Sequence, residues 1–358
     1  MGLDSRGVNR ARMDSGEGSD YDWGVDLNLG LDLRSSLAPA KETHMANQFL
    51  ELLKSKRKTP VVVAHRGDSF HAPENTLQAG RAAKKAGAHG WEIDVQLTRD
   101  GVPVLLHDES LKRTTDVATK FAGDPRGKAG WDVSDFDWEE VKTLDAGSWF
   151  VSDSGGSRSA KQFKTLDALG ADRKLFAAGG VRIPTLEQTL RLTAELDFFI
   201  NIEIKSFPAG YPGLARTVME TIDKTGTASR VLISCFDHRE LAKIRTLNAG
   251  SPNRSVPLGV LQSNPLHRPG AYTSQIVGAQ TCHLSNTGVG SASNAYRKSA
   301  SVGALWKDVF DDLKAAQVPL LVWTVNEHGP GSLTDHLAQL GAEGIITDHP
   351  AGLVKSFG

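Results

Sequence analysis

The chain of 358 residues has little of what marks several common classes of protein. Its two cysteines, Cys235 and Cys282, form no CxxC pair, which argues against a disulfide framework or a zinc site and favours buried thiols. Lysine and arginine number 41 against 42 acidic residues, so no basic excess favours nucleic acid or an anionic membrane. No apolar run reaches the roughly 18 residues that a membrane helix needs. These absences predict a soluble globular protein whose affinity for any phosphate is local.

The first 44 residues are rich in Gly, Asp and Ser and contain no apolar core of the kind that a secretory signal has. We interpret 1–44 as a disordered extension and 45–358 as one folded domain. We also expect a cytoplasmic location, and the sequence leaves the oligomeric state open.

Short runs rich in Val, Ile and Leu alternate with amphipathic helical stretches, which is typical of a parallel sheet covered by helices. Eight such runs occur, at 61–66, 90–95, 198–204, 230–236, 257–261, 281–284, 319–325 and 344–347. Eight alternations favour an α/β fold of the TIM (β/α)8 barrel type over an open sheet. Two long polar insertions, at about 151–180 and 285–304, interrupt the pattern.

Polar side chains stand where several of these runs end, and the active site of such a barrel lies at the C-terminal ends of its strands. Taken alone, a histidine or glutamate at a strand end is usually structural or solvated, but their joint placement favours a site. The residues are His65 and Arg66 on the first run, Glu92 and Asp94 on the second, Glu203 and Lys205 on the third, and Trp323 with Asn326 on the seventh.

A second histidine follows a predicted hairpin. The Asp-Gly pair in "RDGV" indicates a two-residue turn between Arg99 and Val102. That turn would place His107 opposite Asp94 and on the same face as Glu92, because side chains alternate with a period of two. The hairpin would therefore fold His107 back over the barrel mouth.

Three carboxylates at one place would repel one another unless a cation lay between them. Glu92, Asp94 and Glu203 offer hard oxygen ligands without cysteine, which favours Mg²⁺ or Ca²⁺ over zinc. His65 and His107 can serve as general acid and general base, because the ordinary pKa of an imidazole is near neutrality.

Two cations complete the set, since Arg66 and Lys205 can bind an anion and Arg66 has the forked geometry suited to phosphate. Together with the metal and the histidines, they predict cleavage of a phosphodiester.

Seven motifs, in order, resemble those of the glycerophosphodiester phosphodiesterase family. They are "AHRG" at 64–67, "PENT" at 73–76, "EIDVQLTRDGVPVLLHD" at 92–108, "RIPTLEQTL" at 182–190, "IEIK" at 202–205, "VWTVNE" at 322–327 and "GIITDHP" at 344–350. The resemblance implies a TIM barrel that uses a divalent cation to cleave glycerophosphodiesters to sn-glycerol 3-phosphate and an alcohol.

By motif, the resemblance implies an acid/base pair, metal ligands and phosphate contacts. These are His65 and His107; Glu92, Asp94 and Glu203; and Arg66 and Lys205, with Trp323 lining the site. Glu74 and Asn75 shape the first loop, and Asn75 can equally be read as the cap of a helix at 76–86.

Two other functions remain open. One is a phospholipase D-like enzyme on a related barrel, which acts on lysophospholipids or sphingolipids and can release a cyclic phosphate. The other is a barrel that only binds phosphorylated ligands, and it is disfavoured because every expected catalytic and ligand position is filled. The two insertions leave the reaction unchanged but put the alcohol portion of the substrate in question.

Overall fold

A computed structural model describes residues 46–152, 158–206, 211–250, 256–286 and 300–358. The predicted extension at 1–44 lies outside these residues, as does most of the insertion at 285–304. The described residues contain nine strands, which are β1 Val61–His65, β2 Gly90–Leu97, β3 Pro103–Leu105, β4 Phe199–Ile204, β5 Val231–Cys235, β6 Leu258–Gln262, β7 Thr281–Ser285, β8 Leu320–Trp323 and β9 Gly344–Thr347.

The helices include several single-turn pieces between β3 and β4. They are α1 Gln48–Lys54, α2 Leu77–Lys85, α3 Val117–Lys120, α4 Arg126–Ala129, α5 Trp138–Val141, α6 Ser148–Val151, α7 Ala160–Phe163, α8 Ala171–Ala177, α9 Leu186–Glu195, α10 Leu214–Thr225, α11 His238–Ala249, α12 Pro269–Ala271, α13 Ala300–Ala315, α14 Leu333–Leu340 and α15 Pro350–Ser356. A π-helix at Tyr272–Val277 continues α12. None of the helices in the described part of the chain is long and apolar enough to cross a membrane.

Eight parallel strands close into a barrel, in the order β1-β9-β8-β7-β6-β5-β4-β2, with β2 pairing back onto β1. Each of the eight predicted runs is one of these strands, including the short run at 281–284. The fold is therefore the predicted (β/α)8 barrel.

One end of the barrel is closed by α1. Phe49 and Leu53 of this helix are buried in one apolar cluster with Val61 and Leu321. The side chain of Asn47 donates to the carbonyl oxygen of Val231, at the start of β5. Since α1 covers the end where the strands begin, the polar strand ends lie at the opposite end.

The predicted hairpin register is wrong by one residue. Strand β3 pairs antiparallel to β2 with Val95 opposite Leu105, and the amide of Leu106, not His107, donates to the carbonyl oxygen of Asp94 at 3.1 Å. The loop has three residues rather than two, because Gly101 adopts a positive φ of 80° and adds one residue to the turn. His107 therefore follows the end of β3, and the ladder does not set its orientation.

The insertion predicted at 151–180 consists largely of short helices where the structure describes it. Its described residues form α7, a 3₁₀ turn at Leu166–Leu169 and α8. Ala160, Leu169 and Phe176 are buried in a second apolar cluster beside the barrel. The hydroxyl of Thr165 donates to the carbonyl oxygen of Phe70 in the loop after β1, at 3.1 Å. The segment is thus packed against the loops of the strand ends.

Candidate active site

The alternation of strand side chains carries polar groups into the barrel. On β2, Ile93 and Val95 pack into the apolar layer under the helices, so Glu92 and Asp94 lie on the opposite, inner face. Asp94 is paired with Glu203 of β4, and Glu92 with His65 of β1. Neighbouring strands therefore bring these four side chains together at one level of the barrel.

Glu92, Asp94 and Glu203 form an acidic cluster that can hold a metal ion. One oxygen from each lies within 4.8 Å of the others. Burial, together with repulsion by the other two carboxylates, raises the pKa of Glu92 well above its usual range. Glu92 Oε1 and Asp94 Oδ1 are buried and accept no hydrogen bond from the described residues. Buried carboxylate oxygens without a hydrogen bond fit a hard divalent cation, which would supply further positive charge.

Two cations flank the acidic cluster. Lys205 Nζ lies 2.8 Å from Glu203 Oε1 and 3.6 Å from Asp94 Oδ1, and Arg66 Nε lies 3.2 Å from Asp94 Oδ2. Arg66 is a non-glycine residue with φ of 58°, and a side chain on Gly67 after it would lie 2.6 Å from Ala79. This tight turn directs the guanidinium of Arg66 towards the strand ends.

His65 is oriented by Asp348, a residue that the sequence analysis did not single out. His65 Nδ1 lies 2.8 Å from Asp348 Oδ1. Burial alone would raise the pKa of Asp348, but the hydrogen bond from His65 and the charge of Arg158 hold it well below its usual range. Since the ionised carboxylate only accepts, Nδ1 carries the proton and Nε2 presents its lone pair.

The ring of His65 is held neutral in this setting. Burial, and then the nearby charge of Arg66, lower the pKa of His65 to about 4. Asp348 directly follows β9 within the "GIITDHP" stretch. Its position at a strand end was the feature of the sequence that could have identified it as a site residue.

His107 lines the site from outside the barrel strands. Its Nδ1 lies 2.7 Å from Asp108 Oδ1, and about a third of its side chain is exposed. The side-chain amide of Gln96 donates through Nε2 to the backbone carbonyl oxygens of Leu106 and Asp108, at 2.9 and 2.6 Å. These bonds hold the loop that carries His107.

Asn75 does not cap the helix that follows it. The N-cap of α2 is Thr76, whose hydroxyl accepts from the amide of Ala79. The side chain of Asn75 instead donates to Asp94 Oδ2 at 2.8 Å and accepts from the backbone amide of Asp94 at 3.1 Å. Asn75 therefore positions one of the metal-ligand candidates.

All of the predicted site residues except Asp94 line a cavity of about 160 Å³. Trp323 lies on one side, with its ring edge-on to that of Phe236 at 5.6 Å. Phe236 is 41% exposed, so the cavity has an open apolar wall in addition to its charged groups. The lining comprises His65, Arg66, Glu92, His107, Arg158, Asn201, Glu203, Lys205, Ser234, Phe236, Leu261, Trp323, Thr324 and Ile346.

Comparisons with known proteins agree with this arrangement. The chain is 32% identical to a glycerophosphodiester phosphodiesterase of Caldanaerobacter subterraneus over 295 residues. The aligned part makes up 82% of this chain and 96% of the relative. It is also 32% identical over 295 residues to a glycerophosphodiester phosphodiesterase of Bacillus altitudinis, and that alignment likewise spans 82% of this chain and 96% of the relative.

Solved structures share the fold. An Oleispira antarctica phosphodiesterase in complex with the product sn-glycerol-3-phosphate matches with a TM-score of 0.59 at 23% identity, over 84% of this chain and 97% of that one. A glycerophosphoryl diester phosphodiesterase structure from Silicibacter pomeroyi matches with a TM-score of 0.60 at 21% identity, over 84% and 94%. Residues 65–352 match the profile of the glycerophosphoryl diester phosphodiesterase family, and the chain belongs to that family.

Proposed function

We propose that this chain hydrolyses glycerophosphodiesters to sn-glycerol 3-phosphate and an alcohol, with a divalent cation and two histidines. Membership of the family makes it a phosphoric diester hydrolase. The observation that carries the proposed mechanism is the acidic cluster, which lies beside Arg66 and Lys205. Two of its members, Glu92 and Glu203, line the same cavity as both histidines.

Glu92, Asp94 and Glu203 would hold the cation, and their oxygen-only donor set favours Mg²⁺ or Ca²⁺. When bound, this ion would supply positive charge for the phosphoryl oxygens. Arg66 and Lys205 bind the remaining phosphoryl oxygens and stabilise the charge that develops there. Trp323 forms the side of the cavity against which the organic part of the substrate packs.

The histidines move the protons. His65 Nε2 takes the proton of the attacking water as the water oxygen bonds to phosphorus. As the bond between phosphorus and the alcohol oxygen breaks, His107 donates a proton to that oxygen. Asp348 and Asp108 keep the two rings oriented through their Nδ1 atoms. If the glycerol hydroxyl attacks instead of water, a cyclic phosphate forms first and is then opened by water.

A second candidate, cleavage of lysophospholipids, is favoured by the apolar wall. Phe236, Leu261, Trp323 and Ile346 all line the cavity, and this wall could accept the start of an acyl chain. Phe236→Ala should then reduce activity on lysophospholipids much more than activity on glycerophosphoethanolamine.

We also propose that the insertion at 151–180 helps to select the alcohol portion of the substrate. Among its described residues, Arg158 lines the cavity and forms an ion pair with Asp348. The ring of Phe163 lies 5.1 Å from that of Phe70, which fixes α7 to the loop after β1. The packing of the described part of the segment and the position of Arg158 support a role at the cavity mouth.

Product analysis tests the proposal. The protein should be assayed on glycerophosphocholine, glycerophosphoethanolamine, glycerophosphoinositol and lysophosphatidylcholine, with phosphorus NMR to identify each phosphate. Release of sn-glycerol 3-phosphate from the first three is expected. Lysophosphatidate or a cyclic phosphate as the end product would favour the phospholipase D-like alternative, and no turnover on any substrate would contradict the proposal.

A further inference from the structure

The guanidinium of Arg113 lies between two carboxylates and binds each with two bonds. On one side, its Nη1 and Nη2 donate to the two oxygens of Glu74, both at 2.8 Å. On the other side, its Nε and Nη2 donate to the two oxygens of Asp108, at 2.5 and 3.0 Å. Paired bonds of this kind fix both distance and orientation.

The bridge continues at both ends into the active site. Glu74 Oε1 also accepts from Arg66 Nη1 at 2.7 Å, and Asp108 Oδ1 lies 2.7 Å from His107 Nδ1. An unbroken chain of side-chain contacts, through Glu74, Arg113 and Asp108, therefore runs from the phosphate-binding candidate Arg66 to the acid/base candidate His107.

His107 needs such support, because it follows the end of β3 and is about one third exposed. An exposed pair of His107 and Asp108 alone would be held weakly. Glu74 is 5% exposed and is therefore a rigid anchor. Arg113, with 23% of its side chain exposed, connects that anchor to Asp108.

We propose that Arg113 is a positioning residue that, through Asp108, fixes the imidazole of His107 for proton transfer to the leaving alcohol. This inference rests on the proposed function, since it assigns His107 a catalytic role. Arg113 is not among the residues that line the cavity, so we assign it a role through Asp108 rather than through the substrate.

A purely structural role is the competing explanation, and the chain offers a matched control for it. Arg126 also bridges two carboxylates, with Nη2 at 2.7 Å from Asp124 and 2.8 Å from Glu140. Its side chain is 22% exposed, and it lies outside the cavity lining. Arg126→Ala should therefore lose about as much stability as Arg113→Ala, but it should leave the orientation of His107 unchanged.

The test measures kcat and KM for glycerophosphoethanolamine in Arg113→Ala, Arg113→Lys and Arg126→Ala. Misplacement of a catalytic group can cost about 10²-fold, so kcat of Arg113→Ala should fall about 10- to 100-fold with a smaller change in KM. Arg113→Lys keeps the charge but not the fork, and should also lose kcat while remaining folded. Arg126→Ala should keep the wild-type kcat.

Chemical rescue separates positioning from folding. Millimolar guanidinium should restore kcat of Arg113→Ala by about tenfold, because the ion can occupy the gap between the two carboxylates. It should not restore His107→Ala. If Arg113→Ala does not fold, Arg113→Lys decides the question.

A kcat of folded Arg113→Lys or Arg113→Ala within about twofold of wild type would overturn the inference, as would a loss equal to that of Arg126→Ala. Activity of the wild-type protein on the same substrate shows that the proposed function holds, so the two failures are distinguishable.

Discussion

The carboxylate of Asp348 lies 2.8 Å from Nδ1 of His65, although the two residues are 283 positions apart in the sequence. Strand β1 ends at His65 and its neighbour β9 ends one residue before Asp348, so pairing of the two strands creates the contact. The same carboxylate accepts from Asn326 Nδ2 at 2.6 Å and from Ser69 Oγ at 3.1 Å. Asp348 is thereby fixed to hold one tautomer of His65.

Substitution of Asp348 by asparagine should lower kcat by about 10²-fold or more, because an amide no longer enforces the proton on Nδ1 of His65. Asp145→Asn is the control, since it also alters a buried carboxylate, which accepts from the backbone amides of Gly147 and Ser148. Steady-state kinetics should show a wild-type kcat for Asp145→Asn, while chemical unfolding should show that this variant is less stable. Equal kcat values for the two variants would show that Asp348 has no specific role in catalysis.

The histidines should behave as one unit. His65→Ala and His107→Ala should each lower kcat by about 10²-fold or more in a protein that still folds, and wild-type kcat/KM should show a bell-shaped dependence on pH. The double variant should lose much less than the product of the two single losses, because the groups act in one step. Multiplicative losses would indicate that the two rings act independently.

Stability should depend on pH through Glu74. Burial would raise its pKa, but Arg66 and Arg113 outweigh burial and lower it from 4.5 to about 2. A lowered pKa in the folded state stabilises the fold above about pH 4.5, and this stabilisation is lost as the pH falls towards 2. The shift corresponds to roughly 3 kcal/mol.

Chemical unfolding of wild type and Glu74→Gln at several pH values measures this effect. The wild type should be more stable near pH 7, and the difference should shrink steadily below pH 4.5. Glu195→Gln is the control, because its ion pair with Arg81 is largely exposed and contributes little. A difference for Glu74→Gln that stays constant from pH 7 to pH 3 would refute the prediction.

Arg158 should influence which substrate is cleaved. Arg158→Gln removes a charge that lines the cavity, so the ratio of kcat/KM values for small and bulky glycerophosphodiesters should change. Arg173→Gln, an exposed residue of α8 in the same insertion, should leave that ratio unchanged. If both variants keep the wild-type ratio, the segment has no part in selection.

The sequence predicts the barrel and the grouping of most candidate site residues because both follow from local patterns. Buried parallel strands appear as continuous runs of Val, Ile and Leu, and polar residues at the ends of such runs stand out. Glu92, Asp94 and Glu203 could be grouped in this way before the structure was known. The alternation of Glu92 and Asp94 on β2 and the position of Glu203 near the end of β4 were sufficient to predict this grouping.

The features that the sequence did not predict depend on contacts that no local sequence pattern encodes. The pairing of β2 with β3 shifts by one residue because Gly101 adds a third residue to the loop, and an Asp-Gly pair is compatible with either length. Arg113 and Glu74 are 39 positions apart, and periodicity gives no sign that they meet. Asn75 and Thr76 can both cap a helix by residue type, so only the structure shows which one does.

Metal dependence of product release tests the central claim most directly. The release of sn-glycerol 3-phosphate should be measured for wild type, Glu203→Gln and the exposed control Glu220→Gln, first in excess chelator and then with increasing Mg²⁺ or Ca²⁺. We predict no turnover in chelator, recovery on addition of metal, and a higher metal requirement for Glu203→Gln only, because Glu203 supplies one of the three clustered carboxylates. Full turnover by the wild type in excess chelator would contradict this account.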